Sequence, residues 1–394
     1  MTALFLYERK DFMVITVVCD VLGEANNGTT IAALNLIRSM RERGHTVRVV
    51  CSDQNRKGEE GFYIVPNRSF GPLIDAYFRK NGVKMSFPDK RIIDEAIRGA
   101  DVVHFMTPFA VGRRAVKLAR THGIPLTAGF HCQAENLTSH MFMKDFPLAN
   151  KLFYLTIWAH SYRHCARIHY PSAFIRDTFE RAIGRETPSC VISNGVNKAF
   201  HPMEVERPAR YRDRFVIQFT GRFSKEKTHR VLIDAVRRSK YGDRIQLVFA
   251  GMGPLYEKLR RRGAKLQNPP EFRFFTREEL VKQLNCADLY VHPAEIEIEA
   301  ISCLEAIACG LVPVIANSLR SATRYFALDE RNLFRNKDAN DLAARIDYWI
   351  EHPDERAKMR QRYANFVREH EYEHCMDRME TMLLDAAEGR RYVS

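Results

Sequence analysis

Glu297 and Glu305 stand eight positions apart in the segment His292-Pro-Ala-Glu-Ile-Glu-Ile-Glu-Ala-Ile-Ser-Cys-Leu-Glu-Ala-Ile-Ala-Cys-Gly310. Glu305 is set among Cys303, Leu304, Ala306 and Ile307, and a second apolar run, 311–316, follows. A carboxylate in such a place needs a partner, because burying an unpaired one is costly. Hydroxyls of a sugar or a ribose would serve. If the segment were helical, eight residues at about 1.5 Å each would hold the two carboxylates about 12 Å apart. Carboxylates that act as a pair on one glycosidic bond stand roughly 5–9.5 Å apart. The spacing therefore argues for two grips on one elongated ligand rather than an acid/base pair. The expected local form is a loop holding Glu297, a helix opening near Glu299–Ala300, and Glu305 about one and a half turns in. The free N–H groups at that helix start would attract an anion.

Five other segments carry usable chemistry. In Phe219-Thr-Gly-Arg-Phe-Ser-Lys-Glu-Lys-Thr228, a strand-like run leads into a helix. Gly221 permits close backbone approach. Arg222 and Lys227 add positive charge beside a helix start, which suits a diphosphate; Lys225 could equally face solvent. Asn26-Asn-Gly-Thr-Thr30 lacks the G-x-G-x-x-G dinucleotide fingerprint. With Asn27 and Gly28 it is either a tight helix-opening loop or a place where an acceptor or phosphate meets the backbone. His131, in Gly129-Phe-His-Cys-Gln-Ala-Glu-Asn136, falls just past a strand and is either structural or catalytic. Gly251-Met-Gly-Pro254 and Val191-Ile-Ser-Asn-Gly-Val196 are glycine turns at strand ends.

These residues need a scaffold, and the sequence supplies one. β-branched runs at 13–20, 46–51, 101–106, 124–130, 168–170 and 190–193 alternate with helical patterns, including 109–122, 148–165 and 172–183. A second series has strands at 215–220, 245–250, 272–275, 288–292 and 311–316, with helices at 226–239 and 253–262 and a charged helical end at 338–390. The alternation predicts an α/β chain of two tandem Rossmann-like, doubly wound domains facing across a cleft. Residues 1–195 form the first domain, with 1–12 as an appendage; 196–212 are a linker. Residues 213–370 form the second domain, and 371–394 a final helix packing back on the first. In such sheets ligands bind beyond the carboxyl ends of strands.

Composition narrows the rest. The 394 residues are 45% hydrophobic and 28% charged, a globular balance with room for two cores. No apolar stretch approaches the roughly 18 residues of a membrane span, and no secretory cleavage pattern opens the chain. Nine cysteines without a C-x-x-C predict reduced thiols in the cytoplasm, with no disulfide and no bound zinc. The net charge is +13, of which +8 lies in residues 1–195. A basic surface favours anions, among them nucleic acid and anionic lipid, but no nucleic-acid module accompanies it. Cations interleave with aromatics at Tyr77–Phe87, and Arg113, Arg114, Lys117 and Arg120 share one helix. Such surfaces suit anionic lipid or ordinary solvation alike. The run Lys151–Trp158 reads as core.

In order and spacing, the glycine loop at Asn27-Gly28-Thr29, Gly221-Arg222 with Lys227, Gly251-Met-Gly-Pro254, and Glu297…Glu305-Ala-Ile-Ala-Cys-Gly310 resemble the GT-B-fold retaining glycosyltransferases of family 4. The resemblance covers essentially the whole chain from Met13. It implies that Arg222 and Lys227 bind the donor's diphosphate, with Gly221 and Gly253 lining that site. Glu297 would hold the donor sugar's hydroxyls with the backbone amides after it, at Ala300 and Ile301, and Glu305 would hold the ribose. His131 would sit near the transferred sugar, and Asn27 and Gly28 on the acceptor side, Gly28 also reaching the donor. His131, Arg222, Lys227 and Glu297 are the implied catalytic set. No metal or other cofactor is expected, since cations and a helix N-terminus stabilise the leaving nucleoside diphosphate. One departure stands out: where the family often has Phe-Gly, this chain has Glu299-Ala300, which either sets a negative charge close to the expected diphosphate or points away, caps the helix start or pairs with a nearby cation. The motif His131-Cys-Gln-Ala-Glu-Asn-Leu-Thr138 is similar to a subgroup often assigned to glycolipid synthesis. The resulting expectation is hexose transfer from UDP-glucose to a lipid such as diacylglycerol, at the cytoplasmic membrane face and in peripheral contact with anionic lipid. The alternatives are a soluble sugar or surface-polysaccharide acceptor, a nucleotide-sugar 2-epimerase, and a non-catalytic nucleotide-sugar binder.

Overall fold

A computed structural model describes residues 12–22, 28–67, 71, 86–135 and 146–389. Asn27, residues 1–11, most of Tyr77–Phe87 and Asn136–Thr138 lie outside the described residues. The first domain alternates β1 (Val14–Val18), α1 (Gly28–Glu42), β2 (Thr46–Cys51), β3 (Phe62–Ile64), α2 (Lys90–Ile97), β4 (Val102–Phe105), α3 (Ala110–Thr121), β5 (Leu126–Gly129), α4 (Pro147–His160), β6 (Arg167–Tyr170), α5 (Ala173–Ile183) and β7 (Ser189–Val191). Its parallel sheet runs β3-β2-β1-β4-β5-β6-β7. β1 pairs with β2 on one side and β4 on the other. Ile15, Val17 and Val18 are completely buried, as expected of a parallel strand covered by helices on both faces.

The second domain repeats the plan with β8 (Phe215–Thr220), α6 (His229–Arg238), β9 (Ile245–Ala250), α7 (Tyr256–Gly263), β10 (Glu271–Arg273), α8 (Arg277–Asn285), β11 (Leu289–His292), α9 (Ile301–Ala308), β12 (Pro313–Asn317), β13 (Leu333–Arg335), α10 (Ala339–Glu351) and α11 (Pro353–Phe366). Its parallel sheet runs β10-β9-β8-β11-β12-β13. Both sheets reverse their winding beside the first strand of the domain, so the loops after β8 and β11 emerge side by side. The two-domain doubly wound architecture read from the sequence is the one observed. Sequence patterning passed over β3, β13, α2 and α8: a three-residue strand is too short to show a period, and the two helices have only 8 and 9 residues.

The last helix, α12 (Tyr372–Ala387), returns to the first domain. Its apolar stripe, Cys375, Met376, Met379, Met382 and Leu383, shares one buried cluster with Ile15, Val17, Ile37 and Met40. Tyr372 donates its hydroxyl to the Asn35 carbonyl at 2.7 Å. The chain thus crosses between domains twice, and the crossings are tied together. Val196 N–H donates to the His370 carbonyl at 2.8 Å, and Tyr372 N–H to that of Val196 at 3.1 Å. Gly195, at φ +76°, allows this, because a Cβ there would stand 2.8 Å from Tyr372 Cα.

One sequence expectation fails here. Lys151–Trp158 is not simply core: Tyr154 and Ile157 are buried, whereas Leu152 and Leu155 face outward, as do Phe146 and Leu148 just before them. Both faces of α4 are apolar in sequence, so its composition did not say which one would be covered. No helix among the described residues is long and apolar enough to cross a membrane.

Candidate active site

Lys227 and Glu297 are 70 residues apart in sequence and form an ion pair in the structure. Adjacent strands bring them together, since β8 precedes the loop holding Lys227 and β11 the loop holding Glu297. The residue after Lys227 locks the arrangement. Thr228 takes a left-handed conformation (φ 46°, ψ 34°), unusual for a β-branched side chain, and its hydroxyl donates to the Pro293 carbonyl. His292, wholly buried at the end of β11, places Nε2 3.1 Å from Glu297 Oε1. Burial alone would raise the Glu297 carboxyl. The Lys227 ammonium and the His292 hydrogen bond outweigh it and hold the carboxyl at about 2. Burial pushes His292 the other way, below its usual value, with Glu297 opposing. At neutral pH the trio is an ammonium, a carboxylate and a neutral imidazole that donates from Nε2.

The glycines serve this loop. A Cβ on Gly221 would stand 3.7 Å from Lys227 Cδ. One on Gly253 would stand 2.6 Å from Phe223 N and 2.7 Å from Phe223 O. The turn after β9 therefore presses on the backbone between Arg222 and Lys227, and Phe223 N–H donates to Met252 O at 2.9 Å. Gly253 acts here as a buttress of the cationic loop. Arg222 is half-buried, two residues past β8.

Helix α9 opens at Ile301 with Ala300 as its cap residue, slightly later than the sequence suggested. Glu305 is its fifth residue and half-buried. Burial pushes its carboxyl up to about 8, and Arg277 only partly offsets this. Among the described residues, that carboxyl accepts no hydrogen bond and joins no ion pair. Along the chain, Ala300 and Ile301 at the helix start stand between Glu297, which pairs with Lys227, and Glu305.

Glu299 takes one of the directions the sequence left open. It does not face the cationic loop but reaches into the first domain, buried at 7% exposure. Ser193 Oγ donates to it at 2.5 Å, Asn194 N–H at 3.1 Å and Asn194 Nδ2 at 2.5 Å. Burial raises its carboxyl to about 7 against the pull of those donors. Beside it, Ser172 Oγ donates to the Ile298 carbonyl at 2.6 Å. The departure from Phe-Gly is thus an interdomain tie at the chain crossing.

Across the cleft, His131 stands two residues past β5. Its ring meets His169 edge-on, with centroids 5.8 Å apart. Its Nε2 is buried without a hydrogen-bond partner among the described residues and folds back over Gly129, where a Cβ would lie 2.7 Å away. Burial, then His169 and His104, hold it neutral. The Gln133 side chain donates to the Arg320 carbonyl at 3.1 Å, and Glu297 N–H reaches the same oxygen at 3.3 Å. The His131 loop and the Glu297 loop therefore face each other. Gly28 opens α1, and a Cβ there would meet nothing within 4 Å among the described residues. Among the described residues, no group of three or more His, Cys, Asp and Glu is arranged to hold a metal. Sequence reading missed His292, Thr228, Arg320 and the Ser193–Asn194 pair. Only His292 offered a signal, a strand-end histidine five residues before Glu297.

The chain matches two family profiles: "Glycosyltransferase Family 4" over residues 26–200 and "Glycosyl transferases group 1" over residues 203–366. A GDP-mannose-dependent alpha-mannosyltransferase of Corynebacterium glutamicum is 26% identical over 73% of this chain and 68% of the relative. An alpha-monoglucosyldiacylglycerol synthase of Streptococcus pneumoniae is 23% identical over 73% of this chain and 68% of the relative. The Anabaena protein Alr3699/HepE, solved in complex with UDP-glucose, superposes with a TM-score of 0.74 at 18% identity, covering 94% of this chain and 99% of that one. Each profile takes one of the two sheets, and together they span the ion pair, the glycine turns and both glutamates. The chain belongs to the GT-B-fold glycosyltransferases of family 4.

Proposed function

We propose that this glycosyltransferase moves a hexose, glucose from UDP-glucose, to a hydroxyl of a lipid such as diacylglycerol, with retention of anomeric configuration and without a metal. The observation that carries the donor reading is the Lys227–Glu297 pair with the unpartnered Glu305 carboxyl further along the same segment. In this reading Lys227 and Arg222 take the diphosphate, Glu297 the hexose hydroxyls, and Glu305 the ribose. An incoming ribose would supply the hydroxyls that Glu305 lacks among the described residues. Retention follows from attack on the face the phosphate leaves, with the leaving oxygen accepting the acceptor's proton, so no protein nucleophile is required. His131 would contact the sugar through the ring edge that is not folded over Gly129. The open space at Gly28 suits the close approach of donor or acceptor, with Asn27 beside it.

The glucosyldiacylglycerol synthase among the relatives supports the lipid acceptor and the glucosyl group. A second donor, GDP-mannose, is favoured by the mannosyltransferase relatives. Thermal shifts with UDP-glucose, GDP-mannose and ADP-glucose separate the donors. A ligand at 100 times its dissociation constant stabilises by about 2.7 kcal/mol, so the right donor shifts the midpoint clearly and the others do not. A shift with none of them would sink the donor site. Donor incubated without acceptor tests the epimerase alternative by the appearance of an epimer.

A further inference from the structure

A cavity of about 380 Å³ opens between α5 and the 319–325 segment, lined from both domains. We propose that it receives the phosphate head group of an anionic phospholipid, seating the rim of the cleft on the membrane that supplies the acceptor. This rests on the lipid-acceptor reading and deepens it by naming the surface and the contact.

Charge is the first argument. Beside Arg320, whose guanidinium pairs with Glu295 at 3.4 Å, the charged lining residues are Arg181, Arg324, Glu135 and Asp177. The two acids are already engaged: Glu135 accepts from the Tyr154 hydroxyl at 3.1 Å, and Asp177 pairs with Arg176 at 2.8 Å. The two guanidiniums are not. Arg181 makes no hydrogen bond or ion pair among the described residues, and Arg324 has only the ring of Tyr325, at 5.6 Å. A pair of unengaged guanidinium forks in a cavity calls for an oxyanion such as phosphate.

The surroundings say where that anion comes from. Leu319 and Tyr325 line the cavity and are 81% and 64% exposed. Helix α4 packs on α5 and supplies the tyrosine that holds Glu135. On its outer side it exposes Phe146, Leu148, Leu152 and Leu155. The three leucines, spaced i, i+4, i+7, form a single stripe. Exposed apolar side chains beside cations mark a surface that lies in a bilayer interface. Helix α3, with Arg113, Arg114, Lys117 and Arg120, shows no exposed large apolar side chain. The membrane contact thus falls on α4, α5 and the 319–325 segment rather than on the basic helix that the sequence picked out. The position also fits: Arg320, which lines the cavity, offers its carbonyl to Glu297 N–H.

The test is sedimentation with phosphatidylcholine vesicles, with and without phosphatidylglycerol, at constant ionic strength. Compared are the wild type, R181A/R324A and the charge-matched R113A/R114A, each checked for an intact thermal shift with the donor. The wild type should bind only the phosphatidylglycerol vesicles. R181A/R324A should bind about 25-fold more weakly, each cation near an anionic surface contributing roughly fivefold, and R113A/R114A should stay within about twofold of the wild type. Equal binding by R181A/R324A, or an equal loss in R113A/R114A, overturns the proposal while leaving a lipid acceptor standing. Inorganic phosphate that displaces the wild type where chloride of equal ionic strength does not would reassign the cavity to a soluble anion. A wild type that shifts with donor yet binds neither vesicle sinks the membrane reading and this inference together.

Discussion

Glu297 holds a negative charge inside the cleft only because Lys227 and His292 face it. In the proposed mechanism that charge meets hexose hydroxyls while Lys227 meets the diphosphate. Glu297→Ala and Lys227→Ala should each lower kcat/KM by about 10²–10³, with far-UV circular dichroism unchanged; wild-type rates in either would remove them from the reaction. Glu305 carries a pH prediction. Its folded value of about 8 lies above the 4.5 of an unperturbed glutamate, so the folded chain holds that proton more tightly. Its contribution to stability is complete below 4.5 and is lost as pH rises through about 8. Glu299 acts in the same direction, through about 7. The Tm of wild type should therefore fall more steeply over that range than the Tm of Glu305→Gln; equal slopes would mean a solvated carboxyl. Glu297, Glu305, Arg222 and Lys227 were legible in the sequence because charge stood out against apolar or glycine-rich surroundings. His292 and Thr228 were not, since their partners come from the neighbouring strand and loop. Glu299 was legible as an anomaly, but its direction was not, because the residues that hold it lie 105 and 106 positions away.

At the scale of elements, strand ends carry the chemistry and chain crossings carry the coupling. The loop after β11 is bonded to Lys227 through Glu297, to the crossing through Glu299, and to the α5 start through Ser172. Glu299→Ala would leave the Asn194 donors buried without an acceptor, costing about 1–3 kcal/mol. Urea unfolding should register that loss, and hydrogen exchange should quicken at 193–196. Unchanged exchange there would mean that the tie bears no load. Long alternating elements were readable from β-branched runs and helical periodicity. Which face of α4 is covered was not, because α5 and the sheet decide it and both faces are apolar in sequence.

At the scale of the whole molecule, two similar sheets place two families of loops opposite each other, and α12 returns to finish the first core. Sequence order alone made the tandem arrangement visible, through two series of strand and helix separated by a polar linker. The closeness of the His131 and Glu297 loops was not visible, since the shared Arg320 carbonyl joins positions 187 apart. In the proposed function this cleft transfers a hexose from a nucleotide sugar to a lipid hydroxyl, with Glu297 and Lys227 gripping the donor. The direct measurement is transfer from radiolabelled UDP-glucose to diacylglycerol in vesicles containing phosphatidylglycerol, read as label in the extracted lipid. The prediction is a labelled α-glucolipid made by the wild type and reduced about 100-fold or more by Glu297→Ala. A protein that binds the donor yet labels no lipid, or a Glu297→Ala variant that labels it at the wild-type rate, would contradict the claim.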